Sequence, residues 1–382
     1  MPAGTARRND KISNSGVWSP MGFPSEPQKP EEIATAAEQA PQRMEMIPWH
    51  YQPPYDPVEQ RRRNRREQAA GVKRLLKRFG ALSSLSLFAY LALAVVLFLI
   101  MTPEIMRGLF STAGYYDYLF VITPQLVPLV RMDGAVLVGY FMLVVLAITA
   151  AYAYIVLSSA LPTIREAASG TPGRHSTMLT IGGLFFVAYF ITYVNYLLID
   201  AAGISPTTPD FGSAPVWDQI YGSATATVWE EIISRVLLIG VPLLWIDLLF
   251  RRESLLPPRR YLLGGGLKFG GVEIGLVVFS ALMFGSAHVW SWDVWKITPT
   301  IIGGFCFGYL YLRFGLYASI MFHVCFNFLS VPMYFLSDAQ AFIVDLVMVF
   351  VWLPAGVMFI AYYLLRLRRF LSAPQKKEAA SG

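Results

Sequence analysis

Residues 227–235 read TVWEEIISR, which sets Glu230, Glu231 and Arg235 inside an otherwise apolar stretch. Farther along, His288 follows Phe284 by four residues, and Asn327 follows His323 by four. On a helix each i, i+4 pair shares a face. A carboxylate with imidazoles can take a proton from water. Imidazole and amide N–H groups can carry the negative charge that grows on an attacked carbonyl. Such a set can make a catalytic or an ion-handling site. Glu231 and Arg235 are themselves i, i+4 and can neutralise one another. Glu230 is turned about 100° away and has no local partner. It must find one on another helix, meet water or sit protonated. Glu230, His288 and His323 are also ligand types for a catalytic zinc, although the sequence has no HExxH. The residues therefore leave an ion-handling site open beside a catalytic one, and for the catalytic one two chemistries: water activated by Glu and His without a cofactor, and zinc-dependent activation.

Other nucleophiles are poorly supplied. Cys306 and Cys325 are the two cysteines, and both lie in apolar stretches. Cys325 points away from the His323–Asn327 face and reads as a small hydrophobe. No Ser-His-Asp arrangement competes, and two cysteines do not make a disulfide framework.

What positions these groups is a membrane. The chain of 382 residues is 55% hydrophobic and 15% charged, against about 25% charged in a soluble domain. Eight apolar segments are expected, at roughly 80–101, 134–158, 178–199, 221–249, 270–290, 298–313, 316–336 and 340–365. The sixth is short enough to be tilted or re-entrant. The fold class is thus all-α, a polytopic transmembrane bundle of about eight helices with a disordered N-terminal tail. Residues 1–78 read as that tail, ending in a basic juxtamembrane run at 61–78 with nine Lys or Arg. Residues 79–366 are the membrane domain, and 367–382 a short basic C-terminal tail. Intramembrane charges are costly, roughly 2.5–3.5 kcal/mol at mid-helix, and so are functional candidates by default. Glu273 and Asp345 lie near segment ends and are expected to be structural. Asn195 is expected to join helices, and Trp290, Trp292 and Trp295 to form an interfacial belt. His50 and His175 fall in the tail and a loop and are assigned no role.

The net charge of +6 is clustered. Basic residues gather in the N-terminal run, in loop 250–269 and at the C-terminal end. Loop 200–220 has no Lys or Arg, and loop 290–297 has Lys296 alone. The positive-inside rule puts both termini in the cytoplasm of a plasma (inner) membrane protein. Membrane lipids are the expected partners of the basic run. No basic soluble domain is visible, so no nucleic-acid partner is expected.

Three short patterns now stand in order on separate apolar segments: EEIISR at 230–235, FGSAH at 284–288 and HVCFN at 323–327. They match EExxxR, FxxxH and HxxxN. In them the sequence resembles the CAAX protease and bacteriocin-processing (CPBP) family, the intramembrane glutamic endopeptidases that include the CAAX prenyl proteases. The resemblance covers about 178–336. It implies that Glu230 is the general base, that His288 holds and polarises the attacking water, and that His323 and Asn327 donate to the oxyanion. It implies that Glu231 and Arg235, with Phe284 stacked under His288, support them. The substrate would be a membrane-associated or lipidated peptide or protein. Two non-proteolytic readings stand beside this one: a non-catalytic scaffold or regulator of the same fold, and a proton-coupled carrier. No internal repeat supports the carrier. Counting along the helices places the site towards the outer half of the membrane on this orientation.

Overall fold

The structure, a computed structural model, describes residues 57–372 except 123–124, 171–175 and 211–212. The first 56 residues of the expected tail, His50 and His175 lie outside the described residues.

The first helix, α1, runs Pro57–Ser111. Residues 57–78 therefore belong to a helix and not to the tail they were expected to end. Arg, Lys, Leu, Gln and Ala are strong helix formers, and a helix continuing into a membrane span needs no second nucleus. An exposed i, i+4 pair, Arg63 to Glu67 at 3.0 Å, lies on this stretch. A hairpin follows, β1 Tyr116–Ile122 and β2 Leu126–Asp133, antiparallel with an irregularity after Leu119. This hairpin was not expected. Its strands are rich in Tyr, Val, Leu and Ile, which suit a pleated surface.

The helices then alternate across the membrane. They are α2 Gly134–Ser169, α3 Thr177–Ala201, and α4 Val216–Glu231, which passes through a π-helical segment, Ile232–Gly240, into α5 Val241–Phe250. After the short α6 Pro258–Leu263 come α7 Gly271–Ala287, α8 Val289–Trp292, α9 Ile297–Arg313 and α10 Leu316–Asn327. The chain ends in α11 Asp338–Val347, a second π segment Met348–Trp352, and α12 Leu353–Ser372. Among the described residues, seven helices are long and apolar enough to span a membrane. The eighth apolar segment is α9, only 17 residues long. The protein is an integral, multi-pass, all-α membrane protein to which one small hairpin is added.

Both π segments end two residues before a proline, Pro242 and Pro354. Proline has no N–H and crowds the carbonyl one turn back. Opening the turn to i→i−5 relieves that, and Val241 N–H bonds Val236 O while Leu353 N–H bonds Met348 O. Proline alone does not decide the outcome, since Pro103 and Pro162 sit in α1 and α2 without such a segment.

Close approach of helices does the remaining positioning. Gly304 and Gly308 on α9 face Ala281 and Val277 on α7. A Cβ on Gly304 would stand 2.8 Å from Ala281 Cα, and one on Gly308 2.6 Å from Val277 Cγ1. Small residues one turn apart let two membrane helices pack backbone to backbone. The hairpin is tied to α4 at Tyr221 Oη, which donates to Asp117 Oδ2 at 2.8 Å, and at Trp229 Nε1, which donates to Phe120 O at 2.9 Å. Trp229 precedes Glu230, so the hairpin braces the helix that carries the carboxylates.

Candidate active site

α4 delivers Glu230 and Glu231 to different faces. Glu231 is wholly buried, and so is Arg235, whose Nε lies 3.1 Å from Glu231 Oε2. The pair expected from the spacing is formed. Arg235 Nη1 donates to Ser280 Oγ on α7 at 2.6 Å, and Ser280 Oγ donates to Ser234 O at 2.6 Å. The guanidinium also lies 5.3 and 5.1 Å from the ring centres of Phe284 and Phe307, in cation–π range.

Glu231 has a second task that spacing did not show. Its Oε1 lies 3.0 Å from His323 Nδ1, and Ser319 Oγ donates to its Oε2. Both oxygens of this carboxylate accept, so His323 Nδ1 carries the proton. His288 Nδ1 lies 2.8 Å from the Phe284 carbonyl. A carbonyl can only accept, so this Nδ1 is protonated too. In a neutral imidazole the lone pair then sits on Nε2. Both Nε2 atoms point to one place. Glu230 Oε2 is 3.7 Å from that of His323 and 3.9 Å from that of His288. These gaps exceed a direct hydrogen bond. A water can bridge such a gap between Glu230 and an imidazole, giving one proton to each acceptor.

Phe284 stacks on His288, ring centres 4.7 Å apart, as the FxxxH spacing suggested. Phe307 lies 5.0 Å from the His323 ring; nothing in the sequence pointed to it. Ser319 had a visible signal, since Ser319, His323 and Asn327 are i, i+4 and i+8 on α10. Asn327 reaches α4: its Nδ2 donates to Thr227 Oγ1 at 3.1 Å and to Ser223 O at 3.3 Å. The amide hydrogens expected to face an oxyanion are thus spent on the neighbouring helix.

Glu230, His288, His323, Phe284 and Asn327 all line a cavity of about 480 Å³. Its other wall brings Asp210, Asp218, Trp292 and Lys296, from the ends of helices that share the loops 202–215 and 293–296. Asp218 lies 12 residues before Glu230, ~18 Å along the helix at 1.5 Å per residue. The cavity therefore runs from that membrane face to mid-helix. Lys296 Nζ lies 3.9 Å from the Trp292 ring centre and 5.3 Å from that of Trp295. Burial pushes its ammonium down to about 8, with Glu230 acting in the opposite sense. Trp295 Nε1 donates to Thr207 O at 2.9 Å, and Asn195 Nδ2 donates to Trp295 O at 3.2 Å. Asn195 therefore anchors the loop between α7 and α9, and two of the expected belt tryptophans frame the cavity mouth.

Glu273 holds Arg251 at 3.0 Å, and Arg251 reaches Asp247 at 2.6 Å, at the opposite end of the spans. That cluster is structural, as expected of Glu273. Cys325 is fully buried. Among the described residues no three His, Cys, Asp or Glu side chains stand close enough to hold a metal ion.

Residues 212–329 match the family model described as Type II CAAX prenyl endopeptidase Rce1-like. The matched segment holds all three motifs and α4, α7, α9 and α10. No curated protein and no solved structure matches the chain.

Proposed function

We propose, from the match of residues 212–329 to the family model described as Type II CAAX prenyl endopeptidase Rce1-like, that this chain is an intramembrane glutamic endopeptidase acting on a membrane-associated or lipidated peptide. The observation that carries the reading is the convergence of Glu230 Oε2 with two imidazole Nε2 lone pairs inside an open cavity. A water there gives one proton to Glu230 and is held through the other by His288. Its oxygen bonds the scissile carbonyl carbon, and the C=O pair moves to the oxygen. For His323 to act, its Nε2 first takes a proton from solvent in the cavity; as an imidazolium it then donates from Nε2 to that oxyanion, keeping the proton on collapse, while Nδ1 stays on Glu231. Collapse breaks the C–N bond, and the proton on Glu230 passes to the leaving amine. Asn327 stays on Thr227 and Ser223 and holds α10 against α4.

The alternative is zinc held by Glu230, His288 and His323, with Phe284 O and Glu231 orienting the imidazoles, although these side chains do not stand close enough to hold a metal ion as they are. The site would have to contract for this. The test is cleavage of a membrane-tethered reporter peptide by reconstituted protein. Loss of cleavage in Glu230→Ala, with wild-type activity indifferent to EDTA, supports the glutamate mechanism. Full activity in Glu230→Ala overturns it, and EDTA inhibition reversed by Zn²⁺ selects the metal.

The cavity opens at the face carrying loops 202–215 and 293–296. With basic α1, loop 251–270 and the C-terminal end at the other face, positive-inside reasoning puts the mouth outside the cytoplasm. A reporter fused within loop 251–270 checks this: extracytoplasmic signal there reverses the orientation.

A further inference from the structure

Lys296 is the single Lys or Arg among the side chains that line the cavity, and it is not committed to any partner of its own charge class. Among the described residues no carboxylate forms an ion pair with it. Its ammonium rests against the faces of Trp292 and Trp295, and Glu230 acts on it only through space. Two other carboxylates of the cavity are otherwise occupied: Tyr115 Oη donates to Asp218, and Asp210 has an interaction of its own. The ammonium lies against two aromatic walls, and one of them, Trp295, is held in turn by Asn195 and Thr207. A partly buried cation kept without a counter-ion is costly unless something anionic arrives. The cavity that Lys296 lines leads to Glu230 and the two histidines, so the arriving group belongs to whatever occupies the site.

We infer that Lys296 is the carboxylate-binding subsite of this cavity: it receives a carboxylate of the bound peptide, from the chain terminus or an acidic side chain, and so selects the substrate and fixes its register against Glu230. This rests on the protease reading for the identity of the occupant as a peptide. The chemistry is that of a charge-assisted hydrogen bond from a desolvated ammonium. Trp292 and Trp295 confine the ammonium to one direction, which is what makes it selective and not a general acid-neutralising charge. Lys296 is assigned as a specificity residue and not a catalytic one, because it makes no hydrogen bond or ion pair with Glu230, His288 or His323.

The test uses the full-length protein in nanodiscs and three dansyl-labelled apolar octapeptides. One ends in a free carboxylate, one in a carboxamide, and one in a carboxamide with a glutamate next to the end. Anisotropy at pH 7 gives each Kd. The wild type is expected to bind one or both carboxylate peptides tenfold or more tighter than the plain carboxamide, and which of the two is preferred names the source. Lys296→Met should abolish the difference and Lys296→Arg should restore most of it. Equal binding of all three peptides by the wild type, or a preference that survives Lys296→Met, overturns the inference. Cleavage is read on the same peptides. Selective binding without any cleavage leaves the inference standing and removes the protease reading. Cleavage with no carboxylate preference does the reverse. If Lys296→Met fails to fold, the Lys296→Arg protein and the wild-type comparison of acid with amide still decide.

Discussion

His323 Nδ1 lies 3.0 Å from Glu231 Oε1, and one turn along, Asn327 Nδ2 lies 3.1 Å from Thr227 Oγ1. α10 and α4 are thus joined antiparallel by two polar rungs. In a membrane such rungs replace part of the hydrophobic driving force that soluble helices use to associate. Glu231 is therefore more than the counter-ion of Arg235. It joins Arg235, Ser319 and His323, and it sets which nitrogen of His323 faces Glu230. Two adjacent glutamates divide the work: one holds the site together and the other faces the cavity.

That division predicts different failures for the two carboxylates. Glu230→Gln keeps the shape of a side chain that lines the cavity and pairs with nothing at hydrogen-bond distance. It should abolish peptide cleavage while thermal unfolding in detergent stays within a degree or two of wild type. Glu231→Gln leaves Arg235 buried beside a neutral amide, a loss of about 3–5 kcal/mol for a broken buried pair. It should lower both activity and melting temperature. The double replacement Glu231→Leu/Arg235→Leu should melt above Glu231→Leu alone, because no uncompensated charge remains. A double variant less stable than both singles would refute the pairing.

Most of this fold was legible because membrane helices announce themselves by length and hydropathy. α2, α3, α7, α9 and α10 begin within a few residues of the expected positions. The basic stretch 61–78 was misread because its polarity hid good helix formers attached to a span that had already nucleated. The hairpin 116–133 was missed because a loop between two spans was not searched for period-2 patterning. At the site, i, i+4 spacing found every pair lying on one helix: Glu231 with Arg235, and Phe284 with His288. It could not find pairs made between helices, so Glu231 with His323 and Asn327 with Thr227 came only with the packing. Lys296 gave no signal beyond being alone in its loop, since its meaning depends on the two tryptophans folded over it.

Asn327 offers a sharp discrimination. Its amide hydrogens lie on Thr227 and Ser223, so its present role is to hold α10 on α4. Thr227→Val should then reproduce the effect of Asn327→Ala, each lowering kcat only several-fold. Their coupling in a double-mutant cycle of stability should be about 0.6 kcal/mol, the typical interhelical value in membranes. A fall of about 10²–10³ in kcat for Asn327→Ala, with Thr227→Val harmless, would instead identify a direct oxyanion donor.

The α7–α9 contact carries His288 indirectly. A side chain at Gly304 meets the Ala281 backbone at 2.8 Å, and backbone cannot rotate away as a side-chain tip can. Gly304→Val should part α9 from α7, moving His288 and Phe307 relative to His323. Cleavage should fall by at least tenfold, and the melting temperature should drop. Val277→Ala combined with Gly308→Ala is the milder control, since the atom met there is a side-chain methyl, and it should retain most activity. Equal activity in wild type and Gly304→Val would show that the spacing of these helices does not set the site.

Lys296 gives the pH dependence its sign. Burial lowers the ammonium to about 8, so Lys296 is charged below that pH and loses its charge as pH rises through it. The groups that share its cavity are Glu230 and Asp218 from α4, His288 from α7, His323 from α10 and Asp210 from the preceding loop. A carboxylate peptide free in solution is charged throughout the range from pH 7 to 9. Affinity for such a peptide should therefore be strong at pH 7 and fall by about tenfold by pH 9, while affinity for the carboxamide stays level. Lys296→Arg, whose guanidinium remains protonated over this range, should remove the step without removing the affinity. An identical step in the arginine variant would assign the titration to another group in the cavity and take Lys296 out of substrate binding.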